Sequence, residues 1–180
     1  SDLLPTGALT VPRCPGSMLS MRVRDLIAAP KVVTKAGEWK SGKMTRTAFP
    51  MSRTRNFQLG ARWSWRVDLV DAGGVECRLL TAFEPSKHGF LAWLTCRRGD
   101  AHVMLARLEY HGSEPGIHCH ASCDEVHNVQ VGVVKPYPTT RLPKYGAFHR
   151  RSTYEMTEAS ALAVSFEFFN VKKAPQGALV

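Results

Sequence analysis

The sequence lacks the long apolar runs that a membrane protein needs. No stretch reaches the roughly 18 consecutive apolar residues that suggest a membrane-spanning helix, which argues against an ordinary helical membrane protein. The first residues, 1–6, hold no basic segment followed by an apolar one, so the sequence predicts no signal peptide. Repeats and low-complexity tracts are absent as well, so nothing indicates an array of repeated units.

Cysteines are few and irregularly spaced. The chain holds five of them, an odd number, so a disulfide framework would leave one thiol over. Reduced thiols are the simpler interpretation, and they predict a cytoplasmic location.

Acidic residues are scarce relative to basic ones. Fifteen Asp and Glu face 24 Lys and Arg, which gives a net charge of +9, and residues 1–60 carry ten basic residues against three acidic ones. A basic surface attracts polyanions, so we expect a nucleic-acid partner, with RNA favoured and no membrane contact; solubility alone is the alternative. The candidate nucleic-acid-binding residues are Lys40, Lys43, Arg46, Arg53, Arg55, Arg141, Lys144, Arg150 and Arg151.

What the sequence does contain is a series of short alternating segments. Over 61–70, tryptophans and aliphatic residues alternate with polar ones, which is typical of a half-buried strand. Tight turns separate the segments, and antiparallel neighbours suit such turns because parallel ones need long crossovers. The pattern predicts strands over 61–70, 75–83, 90–96, 102–110 and 117–121.

The C-terminal part changes to a helical period. Ser152 or Thr157 is placed to cap a helix that ends near Asn170. Its expected apolar stripe consists of Met156, Ala159, Leu162, Ala163, Phe166 and Phe169. The fold class is therefore α+β: an antiparallel β meander sheet covered by a C-terminal helix, with a basic irregular N-terminal extension.

The chain length fits one domain. Within it, residues 1–60 form the basic extension packed on the core, and residues 61–180 form the sheet and the C-terminal helix. A short helix is expected over 17–29, and the basic stretch 31–60 is either a pair of short strands or an arm that wraps the core.

Histidine is concentrated in one place. Residues 111–127 hold four of the seven histidines and two of the five cysteines. On a strand, His118 and His120 project to one face and Cys119 to the other, with the two imidazole Cβ atoms roughly 6–7 Å apart. That separation suits a general acid/base pair or a metal site; a polar surface without chemistry is the third alternative.

The acid/base interpretation predicts a metal-independent RNA-cleaving enzyme that needs no cofactor. His118 and His120 would exchange protons with the substrate, and Tyr145 and His149 are secondary catalytic candidates. The downstream arginines and lysines would bind phosphates.

The metal interpretation predicts zinc. Its candidate ligands are His111, His118, His120, Cys123 and His127. Such a site would be structural in a non-catalytic domain that binds nucleic acid or protein. Alternatively, it would activate water in a zinc-dependent hydrolase, with Glu114, Asp124 or Glu125 as the base.

The stretch from Leu105 to Tyr110 followed by Gly116-Ile-His118-Cys-His120 resembles small bacterial toxins of toxin–antitoxin modules that carry a Gly-x-His-x-His strand. The resemblance covers residues 61–170 in the order of elements and implies an RNA-directed activity centred on His118 and His120. The chain departs from that pattern in its basic N-terminal part, Cys123, His127 and the longer segment before the last helix. An inhibitory protein partner is a further expectation.

Overall fold

The computed structural model describes residues 21–87, 89–111, 116–141 and 156–173. These residues form two α-helices, α1 (Val23–Ala28) and α2 (Glu158–Phe168), and nine strands. The strands are β1 (Lys31–Lys35), β2 (Lys40–Ser41), β3 (Ser64–Asp71), β4 (Glu76–Glu84), β5 (Gly89–Arg98), β6 (Ala101–Tyr110), β7 (His118–Ala121), β8 (Thr139–Arg141) and β9 (Val171–Lys172).

The strands form a single, mostly antiparallel sheet. Its order is β8-β7-β6-β5-β4-β3-β1-β9, and β2 pairs with β3 beside this path. From β3 to β8 each strand lies antiparallel to the one before it, whereas β9 runs parallel to β1. The expected α+β class, with an antiparallel sheet and a C-terminal helix, is confirmed.

The N-terminal part is more regular than the expected extension. Residues 23–41 supply α1, β1 and β2, so part of the basic third belongs to the sheet itself. Residues 42–60 then pack on the core through Met44, Phe49 and Leu59. Both alternatives for this stretch, short strands and a wrapping arm, are therefore present, one after the other.

Each face of the sheet is covered differently. We call the face that packs against α1 and α2 the first face; its core includes Leu79, Leu94 and Leu108. The second face carries Trp65, Leu80, Leu91 and Trp93, and the 42–60 segment covers it. Because side chains alternate along a strand, neighbouring residues of one strand serve opposite faces.

Helix α2 begins where the sequence predicts, but its buried face matches the expected apolar stripe only in part. Thr157 caps it: its hydroxyl accepts from the Ser160 backbone N–H at 3.2 Å, and Ser160 Oγ accepts in return from the Thr157 N–H. The fully buried positions within the helix are Ala161 and Ser165, and the Ser165 hydroxyl donates to the Ala161 carbonyl. Of the expected stripe, Met156 and Phe169 are buried. Leu162 and Phe166 are half-buried. Ala159 and Ala163 are exposed, so that part of the prediction was wrong.

A buried lysine joins the two ends of the described chain. Lys31 is 0% exposed, and its ammonium donates to the carbonyls of Ile27, Ala29 and Phe169 at 2.8–2.9 Å. Burial lowers its pKa to about 8. The carbonyls near the C-terminal ends of both helices thus converge on one cation, a favourable arrangement because these ends carry partial negative charge.

Candidate metal centre

Strands β6 and β7 place four polar side chains on the second face. Arg107 lies opposite His120 in the antiparallel register, and Glu109 lies opposite His118. Residues two apart on a strand share a face, so the two pairs form a compact block. Cys119, between the histidines, belongs to the first-face core, where burial raises its thiol pKa to about 12.

The histidine rings stand in a row. The ring centroids of His111 and His118 are 5.1 Å apart, as are those of His118 and His120, and each pair meets edge to face. Tyr137 extends the row, 6.4 Å from the His120 ring. The expected pairing of His118 with His120 on one face is therefore present, with His111 beside it.

A carboxylate that sequence reasoning did not assign to the site completes it. Ligand atoms of Glu109, His118 and His120 all lie within 4.8 Å of one another, and the three residues are only 8%, 0% and 3% exposed. Two imidazoles and one carboxylate are a recurrent ligand set for catalytic zinc and for non-haem iron.

The surroundings fix the carboxylate of Glu109. Trp93 Nε1 and Arg107 Nε each donate to Glu109 Oε1 at 3.0 Å, and Arg107 Nη2 donates to the same oxygen. Arg107 is itself held by the Val134 carbonyl at 3.0 Å and lies over the Trp93 ring, 4.3 Å from its centroid. Hydrogen bonds behind a ligand orient it for a metal.

Burial also prepares His120 for metal binding. It lowers the pKa of His120, and the positive charges of Lys135 and Arg107 act in the same direction, whereas Glu109 opposes them. The ring is therefore neutral at pH 7 and keeps a lone pair for coordination.

A cavity of about 590 Å³ opens beside the triad. Glu109 and His111 line it, so both residues connect the buried histidines to the cavity. Its wall combines apolar surface from Trp63 and Leu91 with the exposed cations Lys87 and Lys135. The Glu84 carboxylate in the same wall is paired with Arg62 at 2.9 Å, so the two lysines suit an anionic ligand.

The structure gathers some of the predicted ligands but not others. Among the described residues, the compact group consists of Glu109, His118 and His120, and it does not include the predicted ligands His111, Cys123 and His127. Cys123 is exposed and lines a separate cavity with Cys119, and His127 pairs with Glu125 at 3.2 Å.

Several predicted site residues lie outside the described part of the chain: Tyr145, His149, Lys144, Arg150 and Arg151. Glu114, a candidate base, lies outside it too. Arg141 falls in β8, where its backbone pairs with that of His118.

The five candidate nucleic-acid-binding residues of the N-terminal third are exposed. Lys40 lies 5.5 Å from the centroid of the Trp65 ring, Arg53 pairs with Asp100 at 2.7 Å, and Arg55 donates to the Gly132 carbonyl. Lys43 and Arg46 are exposed as well. Lys40 lies in β2 and the other four lie within the 42–60 segment, and none of the five lines the cavity beside the triad.

Sequence reasoning missed Glu109, Arg107, Lys87 and Lys135 as residues of the candidate site. Arg107 and Glu109 are two residues apart on β6, so their side chains lie on the same face of the sheet. If β6 had been predicted to pair antiparallel with β7, these two residues would have been placed beside His118 and His120. Lys87 and Lys135 carry no comparable signal, because they sit in connecting segments.

Comparisons of the chain with protein-family models, with curated proteins and with solved structures found no match. Neither helix in the described ranges has the length and hydrophobicity that a membrane span requires.

Proposed function

We propose that this protein is a metal-dependent hydrolase that cleaves phosphate esters, with RNA as the favoured substrate. Zinc would be held by Glu109, His118 and His120. The observation that carries the proposal is the buried triad, two imidazole ligands and one carboxylate converging behind a cation-lined cavity.

The burial of the two histidines favours a metal over a metal-free pair. An acid/base pair must touch the substrate directly, with one ring protonated. His118 and His120 are 0% and 3% exposed, and burial disfavours the protonated form of His120. A metal ion between them would carry the positive charge instead.

Three protein ligands leave a coordination position for water, and zinc lowers the pKa of such a water to about 7. His111 belongs to the row of histidine rings and also lines the cavity, so it is placed to accept a proton. With zinc held by Glu109, His118 and His120, the metal would supply an activated water for attack on phosphorus, and His111 would take up the proton that this water releases. The phosphorus–oxygen bond to the leaving group would break, and that oxygen would take a proton from solvent.

The exposed ammonium groups of Lys87 and Lys135 would attract the substrate phosphate to the cavity. Their contribution is electrostatic, so we expect substrate binding to weaken as salt concentration rises.

The test begins with elemental analysis of protein purified without chelator. We expect about one zinc per chain, and the analysis should include iron because the same ligand set suits Fe(II). Glu109→Gln preserves size and removes the charge, so it should lose most of the metal, whereas the exposed His127→Ala serves as the matched control and should keep it.

Cleavage of a short single-stranded RNA should stop when a chelator removes the metal and return when zinc is added. Wild-type cleavage that persists in metal-free protein and disappears in His118→Ala or His120→Ala would instead support the metal-independent pair. The metal-independent acid/base pair is the second candidate function, and the 5.1 Å separation of the His118 and His120 ring centroids favours it. Full metal content in Glu109→Gln would contradict the proposed triad.

A further inference from the structure

A second cavity, of about 390 Å³, lies on the same face of the sheet but away from the histidine strand. Strands β4, β5 and β6 form its floor, and residues 50–53 of the covering segment form its wall. Its charged and titratable side chains are Arg53, Arg78, Arg97, His102, Glu76 and Asp100.

The two acids of this cavity already have basic partners. Arg97 Nη1 donates to Glu76 Oε2 at 3.2 Å, and Arg53 Nη2 lies 2.7 Å from Asp100 Oδ2. Arg78 is the third cation, and it makes no ion pair with any residue in the described ranges. The cavity therefore carries one uncompensated positive charge.

The guanidinium of Arg78 also has an unused donor. Its Nε is buried, and within the described part of the chain it makes no hydrogen bond. A buried donor without an acceptor is costly, so such groups usually meet a ligand or water. An arginine presents Nε and Nη as a planar fork that matches two oxygens of a tetrahedral oxyanion.

His102 adds a neutral polar ring to the same cavity. It is 7% exposed, and its Nδ1 lies 3.5 Å from the Thr95 hydroxyl. Burial, with the positive charge of Arg78, lowers its pKa to about 4, so it is uncharged at pH 7. A neutral imidazole can still hydrogen-bond an oxyanion, while Arg78 supplies the charge.

We propose that this cavity is a binding site for a phosphate group, held bidentately by Arg78 with Arg97 and His102 beside it. The phosphate would belong to a nucleic-acid backbone or be free inorganic phosphate. The proposal is independent of the metal centre, because none of the cavity's lining residues belongs to the triad.

The experiment compares the wild type with Arg78→Gln, Arg78→Lys and a control, Arg24→Gln, which removes an exposed arginine on α1. Binding of inorganic phosphate is measured by calorimetry, and binding of a short single-stranded RNA by fluorescence anisotropy. We expect Arg78→Gln to weaken binding at least about tenfold, as loss of charged hydrogen bonds implies. Arg78→Lys should bind more weakly than wild type because it keeps the charge but not the fork, and Arg24→Gln should not change binding.

Weakening of both probes in Arg78→Gln indicates that either source of phosphate fits, and weakening of RNA binding alone assigns the site to the nucleic-acid backbone. The proposal is overturned if Arg24→Gln and Arg78→Gln weaken phosphate and RNA binding equally. It is also overturned if neither variant weakens the binding of either probe. If Arg78→Gln does not fold, the arginine Nε–H nuclear magnetic resonance signals of the wild type decide: the Arg78 signal must shift as inorganic phosphate is added.

Discussion

Replacing His102 with asparagine should remove much of the pH dependence of stability in weakly acidic solution. The ring is 7% exposed, and its pKa falls from 6.5 to about 4, first because of burial and then because of Arg78; Arg97 acts in the same direction and Glu76 opposes both. The unfolded chain therefore binds a proton at this residue between the two values, and the folded chain does not.

The sign follows from that difference. Because the unfolded state binds more protons, the free energy of unfolding falls as pH decreases from about 6.5 towards 4. Between about pH 7.5 and about pH 5, the two pKa values give a loss of about 2 kcal/mol from this residue alone. Asparagine keeps a polar atom near the position of Nδ1 and does not titrate.

The assay is urea unfolding followed by fluorescence of the four tryptophans, at several pH values in buffer without phosphate. The wild type should lose about 2 kcal/mol more than His102→Asn over this window, and the exposed His127→Asn should lose as much as the wild type. If the wild type and His102→Asn lose stability in parallel, His102 is not buried in its neutral form and the reasoning fails.

Three further changes test other contacts. Lys31→Met leaves three carbonyls without their donor and should lower the free energy of unfolding by about 3 kcal/mol, measured by urea unfolding at pH 7. Gly37→Ala would place a Cβ 2.2 Å from the Val67 carbonyl oxygen and should cost about 2 kcal/mol, whereas Gly60→Ala, where the added Cβ meets nothing within 4 Å, should not. Trp93→Phe removes one donor to Glu109 and should weaken zinc binding about tenfold in a competition titration, and unchanged affinity would show that this bond does not orient the carboxylate.

The parts of the fold that sequence analysis predicts well are those set by neighbouring residues. Strands β3 to β6 appear near their expected positions because alternation and tight turns are local signals. The Thr157 cap is local in the same way. The pairing of β1 with β9 joins residues 31–32 to 171–172, and no local pattern contains it.

The residues of the candidate site differ in the same way: some follow from local spacing and others depend on how distant strands pair. His118 and His120 share a face because of their spacing on one strand, and the sequence is sufficient for that prediction. Glu109 reaches them only through the register of β6 against β7, which depends on how the whole sheet pairs. The buried face of α2 was predicted only in part. Ala161 and Ser165, both small, pack inward, whereas Ala159 and Ala163 face solvent, and small residues give no clear signal of which face is buried.

The position of Lys31 has a consequence for how the protein is made. The ammonium contacts the Phe169 carbonyl, 138 residues further along the chain, and β1 depends on β9 for one of its neighbours. During synthesis, the N-terminal elements therefore emerge long before their last partners exist. Nascent chains stalled before Phe169 leaves the ribosome should be cleaved by protease around residues 23–35, and release of the finished chain should protect them.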